Sequence, residues 1–297
     1  MPSRGDLRLI TAVLLVGGAV GWRFGFAHRW TQRLPPGWSA TSRYSGTVRY
    51  GDPKTGRIPD GDQIADYDRS QRLVDETGRP RWVIFEERQR VREIGTGTIV
   101  FEYATRDTVD PATGAHLATR YRGSVAVFPR DVQRSTYRLR SNYLKGIPVA
   151  FEREDTLDDL RTFVFDYQGP LEATESYAGT GDFAGVRAPP GQTIRCADDQ
   201  FYYRTWVEPL TGEQIKLEEG CPAGDYLFDV ATGRRLGAVA RWTGATAGDA
   251  LIERLGAVRR LRAGYLWATR YGPGALIGAA ALLLAVAWRG RHARPEP

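Results

Sequence analysis

The chain has 297 residues, 42% of them hydrophobic, which is length for two domains and apolar material for at least one sizeable core. Its net charge of +6 sits at the ends: residues 1–29 and 265–297 each set four arginines against one acidic residue, while the stretch between balances 33 basic against 33 acidic side chains. A nucleic-acid binder carries its basic excess on the folded body, so the charge pattern excludes that class and no nucleic-acid partner is expected.

At the N-terminus, LITAVLLVGGAVGW (Leu9–Trp22) is apolar apart from Thr11. Fourteen residues are short for a hydrocarbon core ~30 Å thick, but with Arg23 snorkelling the span extends to Ala27. We expect a membrane anchor with its tip over residues 1–29; a cleaved signal peptide is the competing reading.

Residues 30–247 are expected to form a mainly β, exported domain of curved antiparallel sheet with long hairpins. A short phrase recurs in it: DPKTG at Asp52–Gly56, DETG at Asp75–Gly78, DPATG at Asp110–Gly114, EPLTG at Glu208–Gly212 and DVATG at Asp229–Gly233. Proline presets φ, and glycine accepts the left-handed position that closes a tight loop, so the phrase reads as a hairpin corner. Quinoprotein propellers repeat a similar phrase, but spacings of 23, 35, 98 and 21 residues give no common period. Calcium ligation needs denser carboxylates than one per corner. Strand candidates are Arg81–Val91, Ser124–Arg130 and a hairpin around Asp155–Asp159, with strands flanking the corners. Residues 177–200, rich in Gly, Pro and Ala, read as a long loop. The only cysteines, Cys196 and Cys221, are expected to form a disulfide, which supports export.

Residues 248–270 carry Leu251, Ile252, Leu255, Val258 and Leu261 at helical spacing, with arginines between. This juxtamembrane helix lies either on anionic headgroups or against the domain. Tyr271–Trp288 is an uncharged stretch of 18 residues with aromatic residues at its ends, a C-terminal transmembrane helix followed by a basic tail at 289–297. Arginines flank it on both sides, so orientation rests on the cysteines: both termini cytoplasmic, the central domain outside, in the cell membrane.

Three histidines, His28, His116 and His292, stand too far apart along the chain for a histidine-based metal cluster or triad, and we expect neither metal nor cofactor. Acidic residues crowd the hairpin at Glu152–Asp159, where solvated turn positions outweigh a paired-carboxylate mechanism. GTGDFAG (Gly179–Gly185) departs from a dinucleotide fingerprint. The aromatic and apolar pairs Trp82 with Ile84, Phe101 with Tyr103, Phe163 with Phe165, and Tyr202 with Trp206 each share a strand face. They read either as sandwich core or as the wall of a groove for an acyl chain.

YSGTVRYGDPKTG (Tyr44–Gly56), GIPVAFEREDTLDDLRTFVFDYQG (Gly146–Gly169) and YYRTWVEPLTGEQIKLEEG (Tyr202–Gly220) carry a resemblance. With the anchor, β domain and terminal span, the chain resembles the actinobacterial PorA family of envelope proteins, a domain of unknown function, over most of residues 5–290. WVEPLTG is also similar to one hairpin of LolA-like lipoprotein carriers, whose half-barrel holds acyl chains. The resemblance implies a non-enzymatic role at the cell envelope, binding a lipid or lipoglycan at the outer leaflet. It transfers no catalytic residue, and a porin is disfavoured because two helices enclose no pore. An envelope scaffold that recruits other membrane enzymes is the alternative, and other envelope proteins are then the partners.

Overall fold

The computed structural model describes residues 4–27, 33–52, 54–75, 82–117, 123–139, 146–172 and 193–292. Ten strands form one antiparallel sheet. In chain order they are β1 Ser39–Tyr50, β2 Gln63–Asp75, β3 Val83–Glu93, β4 Ile99–Val109, β5 Thr136–Leu139, β6 Ile147–Leu157, β7 Leu160–Glu172, β8 Ile194–Glu208, β9 Glu213–Asp229 and β10 Arg235–Thr246. The spatial order is β4-β3-β2-β1-β10-β9-β8-β7-β6-β5, two meanders joined where β1 pairs with β10. A sheet this wide twists and curls rather than lying flat. Here its edge strands are joined at one end. Val109 bridges His116, Ala115 bridges Val125, and Val125 bridges Leu139, so backbone pairing passes from β4 to β5 through the segment after the DPATG corner. That linkage covers part of both edges, where unpaired backbone groups would otherwise invite strand addition.

The curl gives the sheet an inner face. One buried cluster unites Tyr44, Val48, Tyr67 and Val91 with Phe163, Phe165, Phe201, Tyr203 and Leu217, drawing on strands from both meanders. Phe128 and Val132, from the segment before β5, pack against it. Ser124–Arg130 is therefore not the regular strand expected from its apolar run: only Val125 makes bridges, and the rest fills the end of the curl beside Leu34, Phe85 and Val109. Similarly, Ile194–Gln200 opens β8 rather than closing a loop, its backbone pairing with β9. The remainder of the expected loop lies outside the described residues.

The corner phrase is a structural device. In DPKTG the Asp52 carboxylate accepts from the backbone N–H of Lys54 (2.8 Å) and from the Thr55 hydroxyl (3.1 Å), and Gly56 takes φ +66°. DPATG repeats this with Asp110, Ala112 (2.8 Å) and Thr113 (3.0 Å), and EPLTG with Glu208 and the N–H and hydroxyl of Thr211, both 2.7 Å. DVATG follows suit through Asp229 and the N–H of Ala231 (2.8 Å). The acid caps the turn, as Asx side chains do. DETG lies partly outside the described residues. The tight β6–β7 turn places Asp158 and Asp159 at positive φ, as a two-residue hairpin loop requires.

Helix α1 (Arg4–Gly21) continues through a wide π turn, Trp22–Phe26. Helix α2 (Gly248–Leu266) runs through a second, Trp267–Tyr271, into α3 (Gly272–His292). The juxtamembrane helix and the terminal span are thus one continuous rod. Both terminal helices are long and apolar, and only 11% of each most apolar window is buried, unlike the core helix of a soluble domain. They pack on each other through small residues: Ala12, Ala19, Ala27, Ala268 and Ala280 are buried. The Trp22 indole donates to the Ala268 carbonyl (2.9 Å) and meets Trp267 edge-on at 4.8 Å. A Cβ at Gly272 would stand 2.9 Å from the Trp22 ring, so glycine permits this approach.

Three arginines of α2 turn to the β domain. Arg259 pairs with Asp158 (2.8 Å), Arg262 approaches Glu208 (3.4 Å), and Arg254 pairs with Glu213, while Leu255 and Val258 bury against Leu160 and Ile215. Glu213 also holds Arg33 (2.7 Å), and both partners are almost fully buried. Burial raises the Glu213 carboxyl, but Arg33 and Arg254 outweigh it and hold the carboxyl below its ordinary range. This triad joins the chain entering from α1, the EPLTG corner and the helix leaving for α3.

Candidate functional site

The residues expected to share a groove divide between the two sheet faces. Phe163 and Phe165 point inward, opposite Val207 and Thr205, and are 6% and 0% exposed. Phe165 meets Phe128 at 4.9 Å and Tyr137 at 5.5 Å. Trp206 stands opposite Val164 and Tyr202 opposite Gln168, which is the outer face. The Trp206 indole donates to Asp155 (2.9 Å), and Lys216 sits 4.1 Å from the ring centre. Ile84 pairs with Thr108, out of phase with the inward Phe85, and half-buried Trp82 immediately precedes Val83 at the start of β3. Register places Phe101 opposite Val91 and Tyr103 opposite Gln89; their side chains are outside the described set. One-strand periodicity groups neighbours on a strand correctly but has no information on which face becomes the inside.

The inner face holds a pocket-like feature that periodicity missed. Across five strands, register aligns Tyr203, Glu219, Gly244, Gly46 and Ala65 in one row. Three consecutive members have no side chain or only a methyl, and a Cβ built on Gly244 would meet nothing within 4 Å. The rows on either side carry Leu217, Thr246, Tyr44 and Tyr67 in one direction, and Trp242 and Val48 in the other. Phe201 and Trp242 lie 6.2 Å apart. Glycine at two adjacent cross-strand positions, Gly46 and Gly244, was the available signal, legible only once their register is known.

Glu219 is half-buried on the inner face, level with the open position at Gly244. Burial pushes its carboxyl up to about 7, with Arg69 opposing and Glu87 reinforcing the shift. Arg69 is committed elsewhere: it pairs with Glu87 at 2.8 Å, where Gln71 also donates at 2.7 Å. Gln214 donates to the Tyr203 hydroxyl (3.0 Å) and to Thr205 (2.8 Å). Burial raises the phenols of Tyr44, Tyr67 and Tyr203, which therefore remain hydroxyl donors.

Further from the terminal helices lies a group of buried acids and thiols. Cys196 and Cys221 are free, which corrects the expected disulfide. Cys196 faces Leu227 and Cys221 faces Trp242, on opposite sides of a bulged stretch, so the two never oppose each other on one ladder. The Cys196 thiol instead lies 3.8 Å from Asp225. Burial, then Asp225, raises both thiols, which stay protonated. Burial also raises Asp198, and lifts Asp225 to about 7. Both act as polar core side chains. Among the described residues no group of three or more His, Cys, Asp or Glu is placed to hold a metal ion. The carboxylates of the β6–β7 hairpin are engaged: Glu154 with Arg161 at 2.8 Å, and Asp155 with the Trp206 indole.

Fold and site define a β-sheet protein, curled around an aromatic interior, with an apolar helix at each end. No family model and no curated protein matches the chain. Among solved structures, it is compared with a DUF1329 family protein from Desulfovibrio piger at 6% identity, with 82% of this chain and 91% of that one covered. The TM-score is 0.14, too low for the likeness to carry fold or function across.

Proposed function

We propose that this chain is a membrane-tethered envelope protein that holds a lipid or lipoglycan inside its curled sheet, without catalysing a reaction on it. The observation that supports this most is the inner face itself. It is lined by aromatic rings, several of them, including Tyr50, Tyr137, Phe151 and Trp242, only partly buried, and it opens at Gly244. Apolar cavities with a few polar groups suit amphiphiles. In this reading both termini are cytoplasmic, the β domain lies outside the cell membrane, and the layout is that of the PorA family. The rigid α2–α3 rod then fixes the domain close to the outer leaflet.

Mass spectrometry of lipids co-extracted with the full-length chain tests it. Wild type is expected to carry a lipid in stoichiometric amount, and Trp242→Arg to lose it while keeping its fold, because the half-buried position lets a charged head reach water. A wild type without lipid overturns the reading. The scaffold alternative draws on a separate observation: Ile64, Ile94 and Ile99 lie together at the end of β2, β3 and β4 and are 61%, 51% and 47% exposed. If that patch recruits a partner enzyme, Ile94→Asp abolishes co-purification of the partner and leaves lipid content unchanged.

A further inference from the structure

The proposed interior has a defined polar end, and its chemistry is specific. We propose that Glu219, at the open space beside Gly244 and among the rings of Tyr44, Tyr67, Tyr203 and Trp242, receives an ammonium headgroup, so that the amphiphile taken up is a cationic or zwitterionic one. This rests on the reading above that the interior holds an amphiphile.

Three observations carry the assignment. The first is space: level with Glu219 on the inner face, a Cβ at Gly244 would meet no atom within 4 Å, whereas Gly46 admits the close approach of the Thr243 backbone, whose carbonyl oxygen would stand 1.9 Å from a Cβ there. The second is charge. Glu219 makes no ion pair among the described residues, and the one cation facing it, Arg69, is spent on Glu87. Further along the same strands, Asp198 and Asp225 are 0% and 9% exposed, hydrogen-bonded by backbone N–H groups and the Cys196 and Cys221 thiols, and paired with no cation among the described residues. Among the described residues, the acids Glu219, Glu87, Asp198 and Asp225 thus outnumber the one cation facing Glu219, Arg69. The third is the wall: aromatic faces beside a carboxylate are the usual surroundings of a bound ammonium, each ring attracting the cation through its quadrupole. An anionic headgroup would meet Glu219 and Glu87 with only a paired arginine to offset them.

The groups facing Glu219 are Arg69 and Tyr67 on β2, Glu87 on β3, Tyr44 on β1 and Tyr203 on β8, while Tyr202 couples to it from the outer face. The phenols are raised and stay neutral, so Glu219 is the group that titrates near neutrality. Binding an ammonium displaces its proton, and affinity is expected to rise with pH through about 7.

The test uses the full chain in nanodiscs, with hexyltrimethylammonium and hexanoate as water-soluble probes of equal chain length and empty nanodiscs as the reference. Calorimetric titration at pH 8 is expected to show the ammonium binding at least about tenfold more tightly than hexanoate, the factor for a desolvated cation–π and charge contact. The preference is expected to shrink at pH 5.5. Glu219→Gln should remove it, and Gly244→Leu, which fills the open space, should abolish binding of both probes. Hexanoate binding as tightly as the ammonium, or Glu219→Gln binding unchanged, overturns the headgroup assignment while leaving an amphiphile-binding interior. Unchanged binding in Gly244→Leu overturns the location. If wild type binds neither probe and carries no lipid, the function proposed above fails with it.

Discussion

Two carboxyls of the interior sit far from their ordinary titration range: burial lifts Glu219 from 4.5 and Asp225 from 3.8, each to about 7. Between those limits the native state holds protons that the unfolded chain has released. Their contribution is therefore fully present below about pH 4 and is lost as pH rises through about 7. Glu213 has the opposite sign. Its carboxyl is held down by Arg33 and Arg254, so its contribution is present above its ordinary value and lost in acid. The melting temperature is expected to fall between pH 5.5 and pH 8, and Glu219→Gln to flatten the fall and raise the value at pH 8 by a few °C, at ~2–4 °C per kcal/mol for a domain of this size. Melting curves of both proteins at the two pH values measure this, and a wild type that grows steadily more stable to pH 8 contradicts the burial of these acids.

At the level of elements, the corner phrase and the helix junction show how short local signals serve long-range assembly. Glu208 replaces the usual aspartate in EPLTG, and its longer side chain, while capping Thr211, also comes within 3.4 Å of Arg262 on α2. The next residue after that corner, Glu213, is the anion between the buried Arg33 and the half-buried Arg254. Glu213→Gln leaves both cations without an ionised partner, and a loss of ~3–5 kcal/mol is expected in chemical denaturation. Gly272 serves the contact between the terminal helices, where a Cβ would stand 2.9 Å from the Trp22 ring. Gly272→Leu is expected to separate α1 from α3, which a disulfide-trapping pair across the two helices would report as lost cross-linking. The β domain should keep its fold in that variant, because its strands pair only with one another.

For the whole molecule, the two meanders meet at β1 and β10, so the strands nearest the chain's two apolar terminal helices become neighbours at the centre of the sheet. The N-terminal helix and the C-terminal rod can then lie side by side, with Trp22 and Trp267 at their common end. Our proposed orientation places the far corners, DPKTG and DVATG, outside the cell. Single cysteines at Lys54 and Arg234, introduced with Cys196 and Cys221 replaced by alanine, are expected to react with an impermeant maleimide on intact cells. A reporter fused after Pro297 should be cytoplasmic. Labelling only after permeabilisation would reverse the orientation.

The sequence by itself determined the local elements. The four described copies of an acid-x-x-Thr-Gly phrase specified corners, because the capping carboxylate, the threonine and a positive-φ glycine all act within five residues. Uncharged runs at both ends specified apolar helices, because hydropathy is a property of the segment alone. What only the tertiary structure decided depends on strands far apart in the chain. Trp206 and Phe165 look equally suited to a wall, yet curling puts one outside, on Asp155, and the other inside, on Phe128. Cys196 and Cys221 look like a pair, yet register sets them against Leu227 and Trp242. The row Tyr203, Glu219, Gly244, Gly46 and Ala65 runs from residue 46 to residue 244 of the sequence, and its members become neighbours only through the pairing of β10 with β1 and β9. A side chain's face follows from local periodicity, but which face is enclosed follows from the closure of the entire sheet.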